Sequence, residues 1–163
     1  MIPELHRPLA VDRIGAAGVE VVVEATAAEC AALAQRIQLP SVLDLRCAFR
    51  LERDHADVLI AYGHLSARVM QTCVVSLEDF AVTIDDRFSL CCVPAGQESD
   101  DPDPEAPDEI GYADGMLDLG EIAAEQLALT LDPYPRKPGA ALPALADEPE
   151  QSAFAALRSL RRH

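Results

Sequence analysis

From Val42 to Arg53 the apolar residues recur at every second position. Leu43, Leu45, Cys47, Phe49 and Leu51 alternate with Asp44, Arg46, Arg50 and Glu52. A period of two held this long demands a strand with one face in a core and the other in water. Asp54-His55-Ala56-Asp57 reads as its polar turn, and Val58 to Val75 as a second long strand that bends at Gly63. A third strand region places Phe80, Val82, Ile84, Phe88, Leu90 and Cys92 on one face. Asp86 interrupts that face and predicts a bulge. Earlier in the chain, Gly18 to Ala25 sets Val19, Val21 and Val23 against Glu20 and Glu24, again as a strand. Long strands joined by short turns predict a mainly antiparallel sheet.

The period lengthens in three places. Thr26 and Glu29 make a capping box, and Cys30, Leu33, Ala34 and Ile37 follow at helical spacing to about Gln38, just before Pro40. Asp118-Leu119-Gly120-Glu121 reads as a second capping box opening a helix through Leu131, which Asp132-Pro133 stops. Ser152 to Arg162 predicts a third, short helix with Phe154, Leu157 and Leu160 on one side. The fold class is therefore α+β: a mainly antiparallel curled sheet or partly open barrel, with two to three helices packed on one face or end.

A chain of 163 residues has room for one core, so residues 1–163 are expected to form a single domain. Its charge is unevenly spread. Residues 1–94 carry 13 acids and 8 bases, residues 95–132 carry 12 acids and no base, and residues 133–163 carry 3 acids and 5 bases. The stretch from about 96 to 110 has too little apolar surface to offset the entropy of ordering and reads as a mobile acidic linker. Pro133, Pro135 and Pro138 then impose an extended path into a proline-rich, basic tail from about 133 to 163. A formal net charge of −15 opposes broad attachment to DNA, RNA or anionic lipid, so any nucleic-acid contact must be local. The N-terminus builds no signal-peptide core, and no apolar run is long enough to span a bilayer. Five cysteines in an odd set without a CxxC fit a reducing cytoplasm.

Candidate chemistry is sparse. Cys91 and Cys92 point to opposite faces of a strand, and Cys47 and Cys73 sit among strand residues where cysteine packs as a small hydrophobe; metal or redox use is the competing reading. His55 between Asp54 and Asp57 offers metal ligands, but the same trio describes a charged hairpin tip. His64 has no partner visible in the sequence. Glu121 and Glu125 share a helix face at the spacing that acid–base pairs use, and so does any solvated helix face. Phosphate-loop, dinucleotide, zinc-protease and nucleophile-elbow motifs are missing from the sequence. No catalytic residue, cofactor or metal is expected. The cations Arg136, Lys137, Arg158, Arg161 and Arg162 offer contacts to phosphate or to an acidic groove; the last three also suit the end of a helix, where cations favour the dipole.

The order of motifs adds to this. Gly63-His64-Leu65-Ser66-Ala67-Arg68-Val69-Met70-Gln71-Thr72-Cys73-Val74-Val75-Ser76-Leu77-Glu78-Asp79-Phe80 resembles the central strand signature of the YceD family, the large-ribosomal-RNA-subunit accumulation proteins of bacteria and plastids. An acidic segment follows. Then come Asp118-Leu119, Glu125-Gln126-Leu127 and Pro133-Tyr134-Pro135 in the family's order, and an ending similar to its Phe-x-x-Leu-x-x-Leu basic tail at Phe154, Leu157 and Leu160. The resemblance implies a non-enzymatic cytoplasmic factor that supports accumulation of 23S ribosomal RNA and assembly of the large ribosomal subunit. With this charge, the expected partner is a basic ribosomal or assembly protein, ribosomal RNA being touched only through the basic tail. Some relatives carry cysteines after the proline segment; Arg136-Lys137-Pro138-Gly139 stands there instead, which argues against zinc. Two other classes stay open on the residues alone: a protein-interaction module unrelated to ribosomes, and a small metal-dependent enzyme built on His55, His64 or a cysteine.

Overall fold

The computed structural model describes residues 3–55, 57–99 and 107–141. Its main element is a five-stranded sheet in the order β2 (Val19–Glu24), β3 (Ser41–His55), β4 (Val58–Thr72), β5 (Asp79–Pro94), β6 (Glu109–Tyr112). All neighbours are antiparallel except β5 and β6, which run parallel. Separately, β1 (Pro8–Ala10) pairs antiparallel with β7 (Met116–Asp118). Helices α1 (Ala27–Arg36) and α2 (Leu119–Thr130) complete an α+β fold whose sheet curls without closing.

Cross-strand partners share a face, so the register decides what the alternation buries. Cys47 faces Leu65, Phe49 faces Gly63, Leu51 faces Ala61, and on the far side Ala61 faces Leu90. These residues form one core with Cys30 and Leu33 of α1 and with Leu119, Ile122 and Leu127 of α2. Each fully buried Leu or Ile contributes about 1.5–3 kcal/mol over its exposed state.

The capping box predicted at Thr26 is present in both directions, Glu29 N–H to Thr26 Oγ1 and Thr26 N–H to Glu29 Oε2. α1 stops two residues before the expected Gln38. There Gln38 takes a left-handed φ of 58° and the Leu39 N–H returns 2.9 Å to the Ala34 carbonyl, a Schellman turn made without glycine. At α2, Asp118 accepts from the N–H groups of Gly120 and Glu121, but the Glu121 carboxylate turns away to Arg36, so half of the second expected box is replaced by an ion pair between the helices.

Other expectations are corrected. No register break occurs at Asp86, which pairs in phase with Leu65; the shifts fall in β3, between Val42 and Asp44 and between Arg53 and His55. Asp86 is half-buried at the open side of the sheet, where a carboxylate keeps contact with water and the alternation survives it. β4 ends at Thr72 rather than Val75, because the chain turns at Cys73. Glu109 and Ile110, read as linker, belong to β6. The tail helix lies outside the described residues.

Candidate functional site

The residues that follow α2 cross to the turn between β4 and β5. Gln71, the buried polar side chain of the core, donates from Nε2 to the Asp132 carbonyl at 3.1 Å. The Val74 N–H donates to the Pro135 carbonyl at 2.9 Å, and Lys137 Nζ meets Glu78 at 2.9 Å. Three bonds thus strap the proline segment across the end of the hairpin. The turn beneath is tight: the Leu77 N–H returns to the Cys73 carbonyl, and Leu77 adopts a φ of 60° while 78% exposed. Val74 and Tyr134 are also largely exposed. An apolar side chain held in left-handed backbone and facing water carries a cost, the kind of feature found at recognition sites.

Within this turn Cys73 is fully buried, and its thiol is also hydrogen-bonded. Its Sγ accepts from the N–H groups of Val75 and Ser76, each at 3.4 Å. Hydrogen bonds from Ser76 and from the Val75 and Lys137 backbone bring the thiol down to about 6 from an ordinary 9.0. Cys47, in the apolar core, is pushed up to about 12 by burial, as a packed cysteine should be.

Several other motif positions are built into the scaffold. Leu119 and Leu127 are core residues. Asp118 caps α2, accepts the Arg7 N–H at 2.8 Å and pairs with His6. Gln126 lends its carbonyl to the Thr130 hydroxyl. Pro133 and Arg136 are exposed on the strap. Arg158, Arg161, Arg162, Phe154, Leu157 and Leu160 lie outside the described residues.

The solvent face of the sheet collects the scarce cations. Arg46, Arg50, Arg68 and Arg87 lie on it with His64 and Tyr62. Arg46 pairs with Glu24, Arg50 with Glu20 and Glu52, Arg68 with Asp44, and His64 with Asp85. These arginines are more than half exposed, so each pair adds little to stability and is readily exchanged for a partner's group. Ala48, the small residue in the row Val22, Ala48, His64, Arg87, sits at a dip of about 460 Å³.

The acid–base candidates do not converge. Glu121 is bound to Arg36, and Glu125 is exposed, its carboxyl held above the ordinary value by partial desolvation and by the charge of Glu121. His55 meets Asp54 at the hairpin end. Among the described residues, no three His, Cys, Asp or Glu side chains gather to hold a metal ion. Sequence reasoning missed Gln71 and Arg87. Gln71 had left a signal, being polar at an inward position two residues beyond Val69.

No curated protein and no solved structure matches the chain. A family model does, that of the Large ribosomal RNA subunit accumulation protein YceD, over residues 61–161. The match takes in most of β4, the Cys73 turn, β5, the acidic segment, α2 and the proline strap, which is most of the chain's length, and the protein therefore belongs to the YceD family.

Proposed function

We propose that the protein is a non-enzymatic, cytoplasmic accessory factor that supports 23S ribosomal RNA accumulation and large-subunit assembly by binding a basic ribosomal or assembly protein. Contact with RNA is confined to the cations at and beyond the strap, Arg136, Lys137, Arg158, Arg161 and Arg162. The observation that carries this reading is where the described family-motif residues are used: Leu119 and Leu127 in the core, Asp118 in a cap, Cys73 and Pro135 in the strapped turn, with Arg68, Glu125 and Pro133 exposed on the surfaces these support. Net charge of −15 favours a cationic protein over a phosphate backbone as the main partner.

Affinity capture of the full chain from nuclease-treated and untreated lysate tests this directly. A basic large-subunit or assembly protein retained after nuclease is the expected result, together with a fall in 23S ribosomal RNA in cells lacking the protein. Capture that vanishes with nuclease makes RNA the partner, and unchanged ribosomal RNA removes the functional reading.

A further inference from the structure

The two edges of the five-stranded sheet are unequal. On one side β2 is short. On the other, β6 covers only Cys91 to Pro94 of β5, and among the described residues no strand pairs with the outer edge of Asp79 to Leu90, a stretch of about 40 Å. The Cys91 N–H points outward, to the Asp108 carbonyl. Alternation along β5 therefore turns the N–H and C=O groups of Ala81, Thr83, Asp85, Arg87 and Ser89 the same way, toward solvent. The stretch contains no proline and no lysine, and its pairing with β4 runs without a bulge; of the devices that blunt such an edge it carries charge, with Asp86 on the inward face.

Beside this edge lies a groove of about 360 Å³ between β5 and the end of α2. Its apolar side chains are Val82, Ile84 and Leu131, and its charged ones are Asp85, Asp86 and Asp132, with no cation. The carbonyl end of α2 at Thr130 also opens here, with no basic residue in the last turn to offset it. Asp86 is half-buried and has no hydrogen bond or ion pair among the described residues.

We propose that this edge of β5 docks an extended, lysine- or arginine-bearing segment of the partner protein, which adds to the sheet as a strand. Its residues on the Asp85 side carry cations, and those on the other side cover the half-buried Val82 and set one further cation against Asp86 and Asp132. Main-chain bonds to the outward N–H and C=O groups supply affinity, and the acidic groove selects cationic sequences. The proposal rests on the reading of the protein as a binder of a basic partner and names the surface that does it.

The probe is a fluorescent decapeptide of alternating Lys and Val in which one central Val is replaced by Lys, with the same peptide carrying Glu for every Lys, the Glu–Val peptide, as control, added to the full chain. The Lys–Val peptide should bind, and amide exchange of Ala81, Thr83, Asp85 and Arg87 should slow on binding while the inward amides of Val82 and Ile84 stay as they were. Thr83→Pro deletes an outward donor that β4 does not use, and should weaken binding by about tenfold. The double charge reversal Asp85→Lys with Asp86→Lys keeps the backbone intact and should do the same. Circular dichroism confirms that each variant is folded, the double reversal standing in if Thr83→Pro is not. Equal binding of the Glu–Val peptide, unaltered exchange at the outward amides, or full affinity in the folded variants overturns the proposal. It is also overturned if those amides are protected in the free chain and become exposed on truncation after Ala141, since the chain's own C-terminal segment is then the occupant. In lysate, partner capture that is equal for wild type and variants sinks the edge and keeps the partner reading; capture by neither removes that reading, and the peptide result still judges the edge.

Discussion

Phe88 lays its ring across Gly63. The two are register partners on β5 and β4, and a Cβ on Gly63 would stand 2.1 Å from Phe88 Cζ and 2.4 Å from Cε1. The missing side chain is thus replaced by the neighbour's ring, which also meets Phe49 edge-on with centroids 6.0 Å apart. Gly63→Ala should displace the ring and cost about 1–3 kcal/mol, read as a lower thermal midpoint. In a Phe88→Ala background the same substitution should cost little. Additive losses in the double variant would show that the two residues do not share this space.

How far the sequence disclosed this fold depends on the range of the interactions. The alternation from Leu45 to Leu51 and the Thr26–Glu29 box are local patterns with local causes, and both appear as read. β6 escaped because four residues at the end of an acidic run carry no period, and their pairing with Cys91 to Pro94 is a parallel contact that only the folded chain brings about. β1 escaped for the same reason, since Leu9 faces Leu117 across more than a hundred residues. At the candidate site, Asp118 could be read as a cap from its spacing. The thiol of Cys73 could not, because its N–H donors depend on how the chain turns at Val75 and Ser76.

Acid should loosen the N-terminal corner first. Hydrogen bonds from the Arg7 guanidinium and the Thr26 N–H hold the Glu29 carboxyl down to about 2 from an ordinary 4.5. A depressed carboxyl contributes stability that is complete above the unfolded value and is lost as pH falls toward the folded one, so the window is about pH 4.5 to 2. In chemical denaturation at stepped pH, Glu29→Gln should start less stable at neutral pH and lose less on acidification. Parallel curves for wild type and variant would mean that the Arg7 contact contributes nothing.

Cys73 should be the thiol that titrates first. Its folded value of about 6 contrasts with Cys47 and Cys92, pushed up to about 12 by burial, and with Cys30 and Cys91, which also lie above the ordinary value. Thiolate absorbance in the ultraviolet should rise with a midpoint near 6 and disappear in Cys73→Ala. The linkage has the same sign as that of Glu29 but lies in a higher window: stability should grow from pH 6 toward 9 in the wild type, and that slope should be absent from the variant. A first thiolate signal only above pH 9 would place Cys73 with the packed cysteines.

The basic tail offers the sharpest separation of fold from function. The described core is drawn from residues between Leu5 and Leu131, and reversing the charge of Arg158, Arg161 and Arg162 is expected to leave the thermal midpoint and the far-ultraviolet spectrum unchanged. Binding is another matter. Nearer cations are already engaged, Lys137 by Glu78 and Arg68 by Asp44. Replacing all three with Glu should weaken capture of RNA most at low salt, where unscreened charge matters most, and the variant should fail to restore 23S ribosomal RNA in cells lacking the protein. Full complementation by the folded triple variant would reduce the cluster to the cationic end of a chain. The recognition surface would then lie on the solvent face of the sheet, around Arg46, Arg50 and Arg68, where weak surface ion pairs stand ready for exchange.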